Sequence, residues 1–94
     1  MSTTAIGGES IPVLDRRFRL QWEEAQKAHV LLYPEGMVKL NTSAGEILKR
    51  CDGIATVAAI TASLERAFEA SGLSGDVTAF VAMAVEKKWV ALRT

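Results

Sequence analysis

A single cysteine, Cys51, stands in the 94 residues, so no internal disulfide can form and packing must hold the fold. Such cysteine usage fits a reducing compartment. Net charge is also missing: eleven Lys and Arg balance eleven Asp and Glu. A neutral domain lacks the electrostatic footprint of a dedicated nucleic-acid binder. No apolar run approaches the roughly 20 residues needed to cross a bilayer. The opening MSTTAIGGES has neither a basic region nor an apolar core, and so does not read as a secretory signal. No glycine-rich phosphate loop is present: Gly7-Gly8 sits in that opening stretch, and Gly36, Gly45 and Gly53 are scattered over separate turns and a helix start.

What is present is the composition of one small globular domain, 49% hydrophobic and 23% charged. A chain of this length buries a real but modest core. The expectation is a cytoplasmic single-domain protein, with residues 1–10 as a flexible tail and residues 11–94 as the folded part.

Along the chain, Phe18, Leu20 and Trp22 alternate with Arg17, Arg19 and Gln21, the period-two pattern of a half-buried strand. AHVLLY (28–33) is a continuous apolar run that suits a more buried strand. Pro34-Glu35-Gly36 predicts a tight turn, with proline presetting one backbone angle and glycine tolerating a positive φ. MVKL (37–40) then returns antiparallel, with Val38 and Leu40 on one face and Lys39 on the other. Ser43 and Glu46 have capping-box spacing, although Asn41 or Thr42 also suits the cap. Asp52-Gly53 ends that helix. Thr56 opens a second, with Val57, Ile60, Leu64 and Phe68 as its core stripe and Ser71-Gly72 as its stop. Ser74 or Asp76 opens a third that carries Val77, Phe80, Val81, Ala84, Val85 and Trp89. Three antiparallel strands followed by three helices make an α+β arrangement in two layers.

Catalytic candidates are few. His29 and Cys51 are the only soft metal ligands besides methionine, and they fall on different elements. As a nucleophile and base they are outweighed by the packing role usual for a cysteine on an apolar helix face. Glu23 and Glu24 are neighbours, so on a strand they point to opposite faces and make no paired-carboxylate site. The third helix says more. Its apolar positions, Met83 among them, exceed one narrow stripe, as when a helix serves both its own core and a bound partner. A three-stranded sheet has two edges, and if the strand at 37–40 is one of them it can accept an extended peptide as an added strand.

These residues carry a family resemblance. FRLQWEEAQKAH, LLYPEGMVKLN, SAGEIL and CDG together resemble the PqqD family of pyrroloquinoline quinone (PQQ) biosynthesis. The likeness runs from about Pro12 to Trp89 and is strongest over 17–53, where no departure from the family pattern is seen. Residues 1–10 carry no family signal. The resemblance implies a winged-helix-like fold and a non-catalytic recognition element for ribosomally made, modified peptides. It implies binding of the leader of the precursor peptide PqqA, and its presentation to the radical SAM enzyme PqqE, which links a glutamate and a tyrosine of that peptide. The iron–sulfur clusters and S-adenosylmethionine belong to that enzyme, so no cofactor is expected here. Carried over, main-chain pairing falls on Met37, Val38, Lys39, Leu40 and Asn41, and the facing helix offers Phe80, Met83, Ala84 and Lys87. The rival reading is a winged-helix DNA-binding protein, against which stand the zero net charge and a third helix with few basic groups outside Lys87 and Lys88. An unpaired edge also invites a strand-exchanged homodimer, particularly in crystals.

Overall fold

A computed structural model describes residues 6–93. The chain runs β1 (Pro12–Leu14), β2 (Arg19–Glu23), β3 (Ala28–Tyr33), β4 (Gly36–Lys39), α1 (Thr42–Lys49), α2 (Val57–Ala67), α3 (Ser74–Glu86) and β5 (Val90–Leu92). The three expected strands and three expected helices are therefore present, in an α+β order. Two short strands, β1 and β5, are additional and pair antiparallel with each other. Three residues are too few to show alternation, which is why the sequence pattern does not announce them.

β2, β3 and β4 form an antiparallel sheet with β3 in the middle. The register stacks Leu20, Leu31 and Val38 across its inner face. Leu31 is fully buried there, and Leu20 and Val38 pack against the same core. β2 begins at Arg19 rather than Arg17 because Asp15 holds a turn: its Oδ1 accepts from Arg17 N at 2.9 Å and its carbonyl from Phe18 N at 2.9 Å. The β3–β4 loop is the two residues Pro34 and Glu35, and Gly36 pairs with Tyr33 inside the ladder. Gly36 does not adopt the positive φ expected of it. Proline at the first loop position cannot take the positive φ of the usual two-residue hairpin turns, and Glu35 has no positive φ either, leaving a type I geometry.

Asn41 caps α1, its Oδ1 accepting from Ala44 N at 2.7 Å. Thr56 caps α2 through its bond from Ala59 N. α2 ends at Ala67, short of Ser71-Gly72. Glu69 turns left-handed while Ala70 N reaches back to Glu65 O, and Glu69 N reaches back to Arg66 O. α3 ends the same way: Lys88 has φ 67, Trp89 N bonds Ala84 O and Lys88 N bonds Val85 O. This reversal takes Trp89 off the helix on which the apolar pattern put it, and sends Val90 to Leu92 into β5.

The core joins Leu31 and Leu40 to Ile47, Leu48 and Cys51 of the α1 region, Val57, Ile60 and Leu64 of α2, and Val77, Val81 and Ala84 of α3. Burying each of the larger side chains stabilises by about 1.5–3 kcal/mol. β1 ties the termini to this core. Gly53, at φ +80, donates from N to Pro12 O, and Arg93 Nη1 donates to Gly53 O at 2.7 Å. Of the stretch expected to be a tail, residues 1–5 lie outside the described residues. Gly8 O and Ser10 O accept from Ala58 N and Val57 N at the start of α2, and Ile6 packs on the core.

Candidate functional site

β4 closes one side of the three-stranded sheet, and no further strand pairs with its outer edge among the described residues. Which backbone groups that edge offers follows from the ladder. Leu40 N donates to His29 O at 3.0 Å. Antiparallel pairs alternate, so Leu31↔Val38 and Tyr33↔Gly36 also bond inward to β3. The intervening residues, Met37 and Lys39, then turn their N–H and C=O groups outward, free to pair with another chain.

Beside this edge lies a groove between the sheet and α3. One part, about 470 Å³, is bordered by Val38, Lys39, Leu40 and Asn41 on one wall, Phe80 and Met83 on the other, and Trp89. A second part, about 560 Å³, is lined by Arg17, Phe18, Tyr33, Glu35, Lys87 and Lys88. The two share Val38 and Trp89, so they run together as one trough. Aromatic rings make much of its surface: Phe80 and Trp89 lie 6.5 Å apart, and Phe18 and Tyr33 lie 5.5 Å apart.

Of the residues singled out from sequence, Val38, Lys39, Leu40, Asn41, Phe80 and Met83 come together in the first part, and Lys87 borders the second. Met37 is half exposed, and strand alternation directs its side chain and that of Lys39 to the opposite sheet face. Lys39 therefore meets the groove with its backbone. Ala84 is fully buried in the core and does not line the groove. Asn41 is committed to capping α1. Sequence reasoning missed Arg17, Phe18, Tyr33, Lys88 and, as a groove residue, Trp89. Their common signal was an aromatic or cationic side chain flanking a turn, which acquires meaning only when β2, the β3–β4 loop and the end of α3 converge.

The reactive groups lie elsewhere. The Cys51 thiol is buried, donates to Ile47 O at 3.3 Å, and is pushed up to about 12 by burial and by the neighbouring Asp52 carboxylate. It is a packing residue at neutral pH. His29 stands edge-on to Trp22 and against Gly45. No group of three His, Cys, Asp or Glu side chains with metal-binding geometry occurs among the described residues. Glu46 is held below the usual carboxylate range by its bond from Arg50, whose Nε also donates to Ser63 Oγ of α2 at 2.9 Å. That trio joins two helices and faces no cleft of the groove.

An apolar trough beside an unpaired strand edge is the geometry of a docking module that takes an extended peptide. The model of the family described as coenzyme PQQ synthesis protein D (PqqD) matches residues 28–90, which span β3, β4 and all three helices. The PqqA binding protein of Stutzerimonas stutzeri is 52% identical over 84 residues, covering 88% of this chain and 91% of that one. That of Pseudomonas aeruginosa is 55% identical over 86 residues, 90% and 94% of the two chains. The Azotobacter vinelandii protein of the same name is 52% identical over 93 residues, 98% and 99% of the two. Among solved structures, the solution NMR structure of the PqqD truncation of Methylobacterium extorquens PqqCD superposes with a TM-score of 0.78 at 32% identity. It covers 94% of this chain and 96% of its own, and represents a functional, stand-alone recognition element for ribosomally synthesised and modified peptides. The chain belongs to the PqqD family.

Proposed function

We propose that this chain is a non-catalytic adaptor of PQQ biosynthesis that binds PqqA by adding a segment of it as a strand along β4. The observation that carries this reading is the outward-facing backbone of Met37 and Lys39 beside the apolar wall of Phe80, Met83 and Trp89. Backbone pairing supplies affinity with little regard to sequence, and the wall selects alternate apolar side chains. The names of the relatives support PqqA as the peptide. The adaptor works in the cytoplasm and hands the bound peptide to the radical SAM enzyme PqqE. The occurrence of a PqqD portion within the longer PqqCD chain suits a module that acts joined to a larger partner. The duplex-DNA reading finds no comparable support, since α3 buries Val77, Val81 and Ala84 and carries its lysines only beyond its last turn.

Proline scanning of β4 tests the docking mode. The Lys39 N–H points outward, so Lys39→Pro removes one donor to the peptide without breaking the internal ladder. The Val38 N–H bonds inward, so Val38→Pro should unfold or strongly destabilise the domain. Lys39→Pro should keep a cooperative thermal transition yet lose at least tenfold in PqqA affinity and its support of PqqE turnover, whereas Lys39→Ala should retain both. Full-affinity binding by Lys39→Pro would sink strand addition at this edge. The same free edge admits a second copy, and we propose that peptide and copy compete for it. Light scattering during the titration should then show any dimer dissociating as PqqA binds; a dimer that survives saturation argues against a monomeric working state.

A further inference from the structure

The groove is electrically polar along its length. α3 runs antiparallel to β4: Asp76, in its first turn, borders the groove near Leu40 and Asn41, while Lys87 and Lys88, just past its end, border it near Pro34 and Glu35. At the latter end four charged side chains meet. Arg17 is held by Asp15, with Nε to Oδ1 at 2.9 Å, and is therefore largely neutralised. Glu35 lines the same end and offsets one unit of positive charge there. Neither Lys87 nor Lys88 makes an ion pair among the described residues, so one positive charge is left over. It sits at the mouth of the cleft formed by Phe18, Tyr33 and Trp89.

We infer that this end of the groove reads one carboxylate of the bound peptide, and that the charge fixes which way along β4 the peptide's acidic side lies. The inference rests on the docking mode proposed above and adds the chemistry of the occupant. Side chains on the α3-facing side of an added strand recur every second residue. The residue opposite Gly36 and the residue opposite Leu40 are four apart, so three same-face positions span the groove. An acidic residue near the Lys87–Lys88 end, followed at every second position by apolar residues facing Val38, Phe80 and Met83, matches the walls. The reverse placement sets the carboxylate against Asp76 and leaves the lysines unmet, which penalises the wrong register.

A double-mutant cycle decides it. Each acidic residue of PqqA is changed in turn to its amide, and each peptide is titrated against the wild type, Lys87→Gln/Lys88→Gln, and the control Lys49→Gln. Lys49 lies on α1 and borders neither part of the groove. One acidic position should couple: its amide should weaken binding to the wild type about three- to fivefold at low salt. That loss should vanish in the double lysine variant, persist in Lys49→Gln, and shrink as salt rises. If no acidic position couples to Lys87 and Lys88 while Lys39→Pro still abolishes binding, the carboxylate reading is overturned and strand docking stands. If PqqA binds Lys39→Pro as well as the wild type, or does not bind at all, both fall together. Thermal melts of each variant separate a lost contact from a destabilised α3 terminus, to which lysines also contribute through the helix dipole.

Discussion

Gly45 shows how a single position couples the sheet to the helices. It lies in α1, where an alanine would ordinarily stabilise by about 1 kcal/mol. Yet a Cβ at this site would stand 2.7 Å from His29 Nδ1 and 3.0 Å from His29 Cβ. Overpacking of that kind costs about 1–3 kcal/mol, so the clash outweighs the propensity gain. Gly45→Ala should lower the urea midpoint in the wild type and raise it in a His29→Ser background; equal effects in both would mean that His29 does not set the requirement. Gly45 read from sequence merely as part of a helix start, and His29 as a soft ligand set apart from Cys51 on another element. Their contact spans two elements and has no local signature. Asn41 was one of three cap candidates, beside Thr42 and Ser43. A polar residue ahead of an apolar helix carries its own mechanism, and Asn41 does cap α1.

Elements divide by length. The two long apolar signals, AHVLLY and the α2 stripe of Val57, Ile60 and Leu64, were plain because the apolar pattern and burial agree over several residues, whereas Phe68, expected on that stripe, lies past the helix end and is exposed. β5 was invisible, being three residues long and directly downstream of a helix whose apolar pattern runs on into Trp89. What creates it is Lys88 in the left-handed region, a conformation that glycine usually serves and that lysine does not advertise. β5 contributes the buried Val90, the pairing with β1, and the Arg93 bond to Gly53. Ending the chain after Trp89 should therefore remove at least about 2 kcal/mol of stability, from the burial of Val90 alone. Amide protection should fall first at Val13 and Leu14 and around Gly53. An unchanged midpoint would mean that the β1–β5 ribbon is decorative. The groove depends on the same turn, because Trp89 reaches it only after the chain reverses.

For the molecule as a whole, acid should be the sensitive direction. Glu46 is held low by Arg50, Asp52 by the backbone N–H groups of Ala55 and Ile54, and Asp15 by Arg17. A carboxyl whose folded pKa lies below its unfolded value binds more protons when unfolded, so stability rises with pH through that window. The stabilisation is complete above the ordinary values of 4.5 for Glu46 and 3.8 for the two aspartates, and is lost as pH falls below them. Urea midpoints should stay level from about pH 7 to about pH 5 and then decline, with Glu46→Gln flattening part of the decline. A midpoint that holds level down to about pH 3 would contradict the assignment.

The sequence by itself determined the α+β class, the central place of AHVLLY, the cap of α2, and a family resemblance strong enough to name a peptide-binding role. These follow from short-range causes: periodicity, turn chemistry, and motifs contiguous in the chain. Tertiary structure decided the rest. It decided that Met37 and Lys39, not their neighbours, turn their backbones outward. It also decided that Ala84 is buried in the core rather than lining the groove, and that Arg17, Phe18, Tyr33, Lys88 and Trp89 share one cleft. The physical reason is that an edge, a groove and a charge cluster are relations between segments far apart in sequence. They come into being only when packing brings β2, β4 and the end of α3 to the same place.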